Sequence, residues 1–240
     1  SGGSVLLAGT QNPDVLRWSR EGETLTPLAS LPTGSAVLAL ATRNSAVAAG
    51  DEGGEVTLWT LDGDDATETA RASVGAGGIP AVAIEDSGDL LVGGRDRILR
   101  RVPVGDDLGE ATELFRFGSW VNTIAAADGF VAAGSSDSTV RVLRSPDDTT
   151  GSELRFAAPV TAARPLAQSR LAVSLTNGET HVVDLSRARV FPGPGNVFTT
   201  RYSADGERLL VVPGTVNRAS VYDTSVPCEP ELIASIDGDE

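Results

Sequence analysis

The chain has 240 residues, 40% of them hydrophobic, and carries 33 acidic against 19 basic residues for a net charge of −14. That length permits one large domain or two small ones, and no apolar run approaches the roughly 20 residues needed to span a bilayer. The acidic balance disfavours a phosphate backbone as partner, since attraction to it requires clustered Lys or Arg, although the exclusion weakens in high salt.

In chain order, one phrase recurs six times: a short apolar strand, a Gly/Asp/Asn-rich turn, and an alternating strand ending on a bulky residue. The second strands read Val15-Leu16-Arg17-Trp18, Val56-Thr57-Leu58-Trp59, Ile98-Leu99-Arg100-Arg101, Val140-Arg141-Val142-Leu143, Thr180-His181-Val182-Val183 and Ala219-Ser220-Val221-Tyr222. Their last residues fall at 18, 59, 101, 143, 183 and 222, a period of 39 to 42 residues. A constant period near 40 with strand patterning predicts stacked β units, and propeller blades of four short antiparallel strands fit that length. The expected fold is therefore an all-β propeller of about six blades, at roughly 4–33, 34–76, 77–117, 118–158, 159–194 and 195–240, in a single domain over 1–240.

The blades are unequal. With strands named a to d from the axis outward, blade one offers b at Val5–Ala8, c at Val15–Arg20 and d near Thr24–Leu28, and nothing before Val5 supplies strand a. Blades two to five are expected to hold all four, with a beginning at Ala36, Ile79, Val121 and Val160 and b at Ala46, Leu90, Phe130 and Leu171. Blade six reads as Val197–Tyr202, Arg208–Val212, Ala219–Tyr222 and a last strand at Glu231–Ile236. That last strand could be blade six's outer strand, could swing inward to close the ring, or could leave the gap to a partner chain, because an unpaired edge invites pairing.

The stretch Ala133-Gly-Ser-Ser-Asp-Ser-Thr-Val-Arg-Val-Leu143 resembles the WD-repeat signature, in which small residues and an Asp-containing turn lead into a strand ending in Trp-Asp. Trp18 and Trp59 stand at the Trp position, Tyr222-Asp223 replaces Trp-Asp, and the turn acid recurs as Asp14, Asp96 and Asp137, with Asn177 and Asn217 as looser matches. The family's Gly-His pair has no counterpart, since the single histidine, His181, lies in a second strand. The resemblance covers nearly the whole chain with degenerate motifs. It implies a WD-type propeller whose partner-binding face is formed by the b–c turns and the loops between blades.

Every basic residue is Arg and none is Lys. An acidic, Lys-free surface is the composition expected of a protein from a salt-loving archaeon, where carboxylates hold water and molar salt shortens screening to about 3 Å. A GC-rich genome, which favours Ala, Gly and Arg, gives the same bias. Cys228 stands alone and so forms no intramolecular disulfide, and without a charged-then-apolar leader the expected compartment is a reducing cytoplasm.

Little in the sequence points to catalysis. The acidic pairs Asp64-Asp65, Asp106-Asp107 and Asp147-Asp148 lack the spaced oxygen ligands and closing Glu of a calcium loop and read as solvated turns. His181 has neither Cys nor a second His beside it, so zinc is not expected, and it reads as a core or rim histidine. No Gly-x-Ser-x-Gly elbow occurs, and the clusters Gly75–Gly78 and Gly193–Gly195 lead into no helix with a Lys. No cofactor or metal is expected.

Trp120 is the informative residue. It stands just before strand a of blade four, outside the repeat's Trp position, with Arg95 and Arg97 in the neighbouring b–c turn and Asn196 and Phe198 opening blade six in the same place. An aromatic flanked by Arg is the composition of an interface hot spot, and cation–π stacking within the monomer is the simple alternative. The sequence thus reads as a non-catalytic interaction scaffold that presents a rigid rim to partner proteins. Two rival readings remain: an enzyme or small-ligand binder at the axial mouth, which would need convergent acids, Asn or His, and a structural subunit whose open blade a neighbour or a second copy completes.

A net charge of −14 predicts salt-dependent stability. Lowering salt from molar to about 50 mM should lengthen the reach of self-repulsion and lower the melting temperature. Circular dichroism melts that give an equal or higher melting temperature in dilute buffer would overturn the halophile argument.

Overall fold

The computed structural model describes residues 4–75, 77–127, 130–144, 151–166, 170–185, 197–202, 208–213, 218–223 and 231–237. These residues form 22 strands and no helix, so the fold is all-β. No helix among them is long and apolar enough to cross a membrane.

The strands pair in chain order into six small sheets. Sheet one holds β1 (Ser4–Gly9), β2 (Asp14–Glu21) and β3 (Thr24–Pro32). Sheet two holds β4 (Val37–Arg43), β5 (Ala46–Asp51), β6 (Glu55–Asp62) and β7 (Asp65–Ser73). Sheet three holds β8 (Ala81–Ile84), β9 (Leu90–Gly93), β10 (Ile98–Val102) and β11 (Thr112–Arg116), and sheet four β12 (Val121–Ala127), β13 (Phe130–Ser135), β14 (Thr139–Leu143) and β15 (Ser152–Arg155). Sheet five holds β16 (Val160–Leu166), β17 (Arg170–Leu175) and β18 (Thr180–Asp184), and sheet six β19 (Val197–Tyr202), β20 (Arg208–Pro213), β21 (Arg218–Asp223) and β22 (Glu231–Asp237).

Where the sequence gives a start, it lies within two residues of the observed one, while the outer strands β7, β11 and β15 are expected from the sequence without bounds. The fourth strand expected for blade five falls outside the described residues. The final strand, which the sequence left open, pairs antiparallel with β21 from Glu231↔Asp223 to Asp237↔Arg218 and is the outer strand of sheet six.

The strands fall into two compact units. Ser1–Ala167 with Leu171–Val183 forms the first and contains sheets one to five, apart from the end residues Arg170 and Asp184 of β17 and β18. Gln168–Arg170 with Asp184–Glu240 forms the second and contains sheet six.

In the first unit the core lies between successive sheets. Val15 and Leu31 of sheet one meet Val47, Ala49 and Trp59 of sheet two. The opposite face of sheet two, with Ala48, Val56 and Leu58, meets Val82, Ile84, Leu90 and Val92 of sheet three. Ala81, Ala83, Leu91 and Leu99 turn from sheet three to Val121, Ile124, Val131 and Ala133 of sheet four. Because side chains alternate between faces, a strand covered on both sides must be apolar throughout. This is why Ala46–Asp51, Leu90–Gly93 and Phe130–Ser135 read as short unbroken Val, Leu and Ala runs, buried except for half-buried Ala46. The outer β7 and β11 are mostly exposed and carry polar residues such as Glu68 and Glu113.

Each junction uses the same device. A Cβ placed on Gly9, Gly93 or Gly134 would stand 2.6, 2.5 and 2.6 Å from a methyl of Val37, Val121 and Val160 in the next sheet, and Gly50 meets Ile79 in the same way. The incoming residue also donates its N–H to the carbonyl one place after the glycine: Val37 to Thr10 at 2.9 Å, Ile79 to Asp51 at 2.9 Å and Val121 to Gly94 at 3.3 Å. Only glycine leaves room for the branched side chain.

Gly93→Ala and Gly134→Ala should each destabilise by about 1–3 kcal/mol in urea unfolding, the scale of overpacking a filled core. A loss under about 0.5 kcal/mol, typical of an indifferent surface site, would show that the sheets are not in contact there.

Candidate functional site

One edge of the first unit is built by a repeated hydrogen bond. In sheets two, four and five the residue after strand b donates its N–H to the carbonyl just before strand a, Glu52 to Ala36, Ser136 to Trp120 and Thr176 to Pro159, and in sheet three Arg95, two residues after β9, donates likewise to Gly78, three before β8, all at 2.9 Å. The b–c turn and the lead-in to the first strand are thereby locked side by side in four sheets.

In sheet four this lock fixes Trp120. The Asp137 carboxylate accepts the Gly118 N–H at 2.6 Å, the Ser135 hydroxyl donates to the Ser119 carbonyl at 3.2 Å, and Ser136 N–H reaches the Trp120 carbonyl. The indole is nonetheless 50% exposed. The Arg95 guanidinium lies 5.3 Å from the ring centroid, and its Nη1 stands 3.4 Å from Glu52 Oε1. A row of Glu52, Arg95 and Trp120 therefore crosses sheets two, three and four.

The structure brings together two of the residues singled out in the sequence, Arg95 and Trp120. Arg97 is exposed and held at a positive φ of 74°, its backbone tied to Gly94 and Phe117, and no carboxylate among the described residues pairs with it. Phe198 is placed by its backbone in β19 of the second unit, and Asn196 lies outside the described residues. Sequence reasoning missed Glu52, whose only signal was its place in the turn Asp51-Glu52-Gly53-Gly54. It also missed the Ser135–Asp137 turn as the clamp on Trp120.

The turn acids act locally. Asp96 and Asp137 accept the N–H two residues on, from Ile98 at 3.3 Å and Thr139 at 3.0 Å, and Asn177 accepts that of Glu179 at 3.1 Å. Asp14 differs: it opens β2 and accepts the Thr10 hydroxyl at 2.7 Å. Burial pushes the Asp137 carboxyl up, but hydrogen bonds from the Thr139 hydroxyl and the Gly118 and Thr139 N–H groups outweigh it and hold it below its ordinary value.

His181 is exposed, with Nε2 3.2 Å from Glu179 Oε2 and its ring 5.5 Å from that of Phe156, so it is not a core residue. Glu179 sits below its usual range because Asn177 and then His181 hydrogen-bond it. Among the described residues no three His, Cys, Asp or Glu side chains are placed to hold a metal ion. Asp64, Asp65, Asp106 and Asp107 are exposed, while Asp147, Asp148 and Cys228 lie outside the described residues.

The first strands of sheets two to five line an open cavity of about 490 Å³, bounded by β4, by Pro80 and β8, by β12 and by Arg164 and Pro165 of β16. Among the described residues its polar groups are Thr42, Arg43, Asn122, Thr123 and Arg164, with no Asp or Glu. Asn122 Nδ2 is engaged with Ser136 Oγ and the Val160 carbonyl, at 2.7 and 2.8 Å, and the Thr123 hydroxyl with the Ala163 backbone.

No known family's sequence profile matches the chain, and no curated protein matches it either.

Because the folded Asp137 carboxyl is held low, its contribution to stability is fully present above the unfolded value of 3.8 and is lost as pH falls through the folded one. Asp137→Asn should cost about 1 kcal/mol near neutral pH, the worth of a charge-assisted hydrogen bond over a neutral one. It should also flatten the fall in stability below about pH 4. Urea titrations at several pH values check this, and an unchanged acid limb would remove Asp137 from the account.

Proposed function

We propose that the chain is a WD-type β-propeller of six repeated sheets that works as a non-catalytic protein-interaction platform, in the salt-rich cytoplasm its composition suggests. The observation that carries this reading is Trp120. A large aromatic, half exposed, sits on a backbone segment pinned by three hydrogen bonds and is flanked by a guanidinium. Aromatic and Arg side chains dominate the energetics of protein interfaces. A surface already fixed before contact loses little ordering entropy on binding. The Arg95–Glu52 pair is exposed and contributes little to folding, which leaves Arg95 available to a carboxylate on a partner.

The 40-residue period, the sheets in chain order and the glycine junction repeated at Gly9, Gly50, Gly93 and Gly134 support the propeller part of the proposal. A second reading, a small-ligand site, is favoured by the cavity alone. Its volume lies in the range of small-molecule pockets, and among the described residues its lining holds Arg164 and an Arg43 already paired with Asp86, with no carboxylate in the lining itself, so an anion held by Arg164 is the ligand class it favours.

Trp120→Ala and Arg95→Ala should leave unfolding free energy within about 0.5 kcal/mol of wild type while weakening capture of partner proteins in molar KCl. A loss near 3 kcal/mol for Trp120→Ala, the scale of truncating a buried aromatic, would assign Trp120 to the fold instead of the rim. Calorimetry with inorganic phosphate or a dicarboxylate tests the second reading, and Arg164→Ala should abolish any heat it shows.

A further inference from the structure

The b–c turns of sheets two to five are built alike. One residue of each donates its N–H three places back, Gly54 to Asp51, Arg97 to Gly94, Ser138 to Ser135 and Gly178 to Leu175, at 3.1 to 3.4 Å. In sheets two, three and four the carbonyl of that residue accepts the N–H that follows the outer strand, from Val74, Phe117 and Phe156 at 3.1, 2.8 and 2.9 Å. All four residues have a left-handed backbone, with φ of 87°, 74°, 70° and 87°. The fold imposes that conformation whatever the side chain, and it suits glycine. A Cβ on Gly178 would meet nothing within 4 Å, so φ alone selects glycine there. Ser138 is short, and Asn44, the remaining non-glycine at positive φ among the described residues, is of a type that tolerates it. Arg97 is neither. A long side chain in this conformation costs backbone energy, and such residues cluster at functional sites. Among the described residues no side-chain hydrogen bond or ion pair of Arg97 offsets that cost, and the residue is exposed. Its turn is also joined to the segment that carries Trp120. Phe117 donates to the Arg97 carbonyl at 2.8 Å and Val121 to that of Gly94 at 3.3 Å, so the turn holds residues 117–121 at both ends.

We propose that Arg97 sets the specificity of this rim, and that the partner presents a short acidic segment whose carboxylates engage Arg97 and Arg95 beside Trp120. The proposal rests on the reading of the rim as the partner-binding surface. Charge complementarity selects the class. A guanidinium takes a carboxylate through two parallel N–H donors, and among the described residues Arg97 has none to take, in a chain with 33 acidic residues. The acids at this corner are already engaged. Asp96 is held by Arg100 Nη2 at 2.5 Å, and Asp137 accepts the Gly118 and Thr139 N–H groups. The Glu52 carboxylate stands 3.4 Å from Arg95 in an exposed pair, which an incoming acid replaces at little cost. A basic segment would face like charge at both arginines.

A random-peptide library displayed on phage is selected on the immobilised full chain in molar KCl, and the enriched peptides are synthesised and titrated by fluorescence anisotropy. Peptides whose binding is lost with Trp120→Ala should be rich in Asp and Glu. Arg97→Gly should weaken them about tenfold or more, the effect of losing a charge-assisted pair. The same substitution should raise the melting temperature by about 2–4 °C, because it removes the left-handed side chain. Arg97→Gln keeps a non-glycine there and loses only the charge, so it should weaken the peptides equally at unchanged melting temperature. The proposal is overturned if the Trp120-dependent peptides are neutral or basic, or bind Arg97→Gly as well as wild type. The rim reading then stands and only the acidic class fails. A lower melting temperature for Arg97→Gly overturns it as well, since Arg97 then belongs to the fold. So does a dimer in size-exclusion chromatography that Arg97→Gly dissolves, which makes a second copy the occupant. If no enriched peptide depends on Trp120, the rim reading falls and the proposal with it.

Discussion

The glycine at the end of each second strand sets the spacing of the first unit. Sheets pack roughly 10 Å apart through interdigitated side chains, but at Gly9, Gly50, Gly93 and Gly134 the gap closes to backbone contact with a branched residue of the next sheet. The same residue secures its own N–H on the preceding sheet at Val37, Ile79 and Val121, so each junction combines steric fit with a satisfied backbone donor. Sheet five departs from the rule. Its equivalent residue is Ser174, two before the donor Thr176, and the Ser174 hydroxyl lies 3.1 Å from that of Thr180.

The repeated edge follows from those junctions. Once first and second strands are registered, the turn between b and c lies beside the lead-in to strand a, and the N–H donated by Glu52, Arg95, Ser136 or Thr176 closes the corner. Trp120 is exposed because it stands at this corner and not within a strand. Its Arg95 neighbour arrives from the adjacent sheet, at the equivalent corner. A cation over an indole at an exposed site contributes about 0.5–1 kcal/mol, enough to orient the pair without burying it.

The arginines have a second use inside the first unit. Arg101 grips Glu85 through two nitrogens at 2.5 and 2.9 Å, and Arg141 holds Glu153 at 2.8 Å while lying 4.0 Å over the Phe115 ring. Arg17, 5% exposed, donates to the Ala29 carbonyl and to the Asp64 carbonyl of the next sheet. A planar guanidinium serves two partners at once and stacks on an aromatic face, which a lysine ammonium does less well. The exclusive use of Arg is therefore structural in places as well as compositional.

The sequence by itself determined the strands. The 40-residue period located β4–β6, β12–β14 and the corresponding strands of the other sheets to within a few residues, though not the outer β7, β11 and β15, because apolar runs bounded by Gly, Asp and Asn turns depend on local chemistry and on the two-faced burial that the repeat imposes. Trp120 could be singled out because it broke the repeat. Tertiary structure alone decided which side chains meet. Glu52, Arg95 and Trp120 lie up to 68 positions apart and come together only through the stacking of three sheets. The clamp of Gly118 on Asp137 depends on how a turn folds back over its own sheet. The side of sheet six on which Glu231–Asp237 pairs was likewise open in the sequence, since alternating apolar residues suit an inner or an outer strand equally and only the pairing with β21 chooses between them.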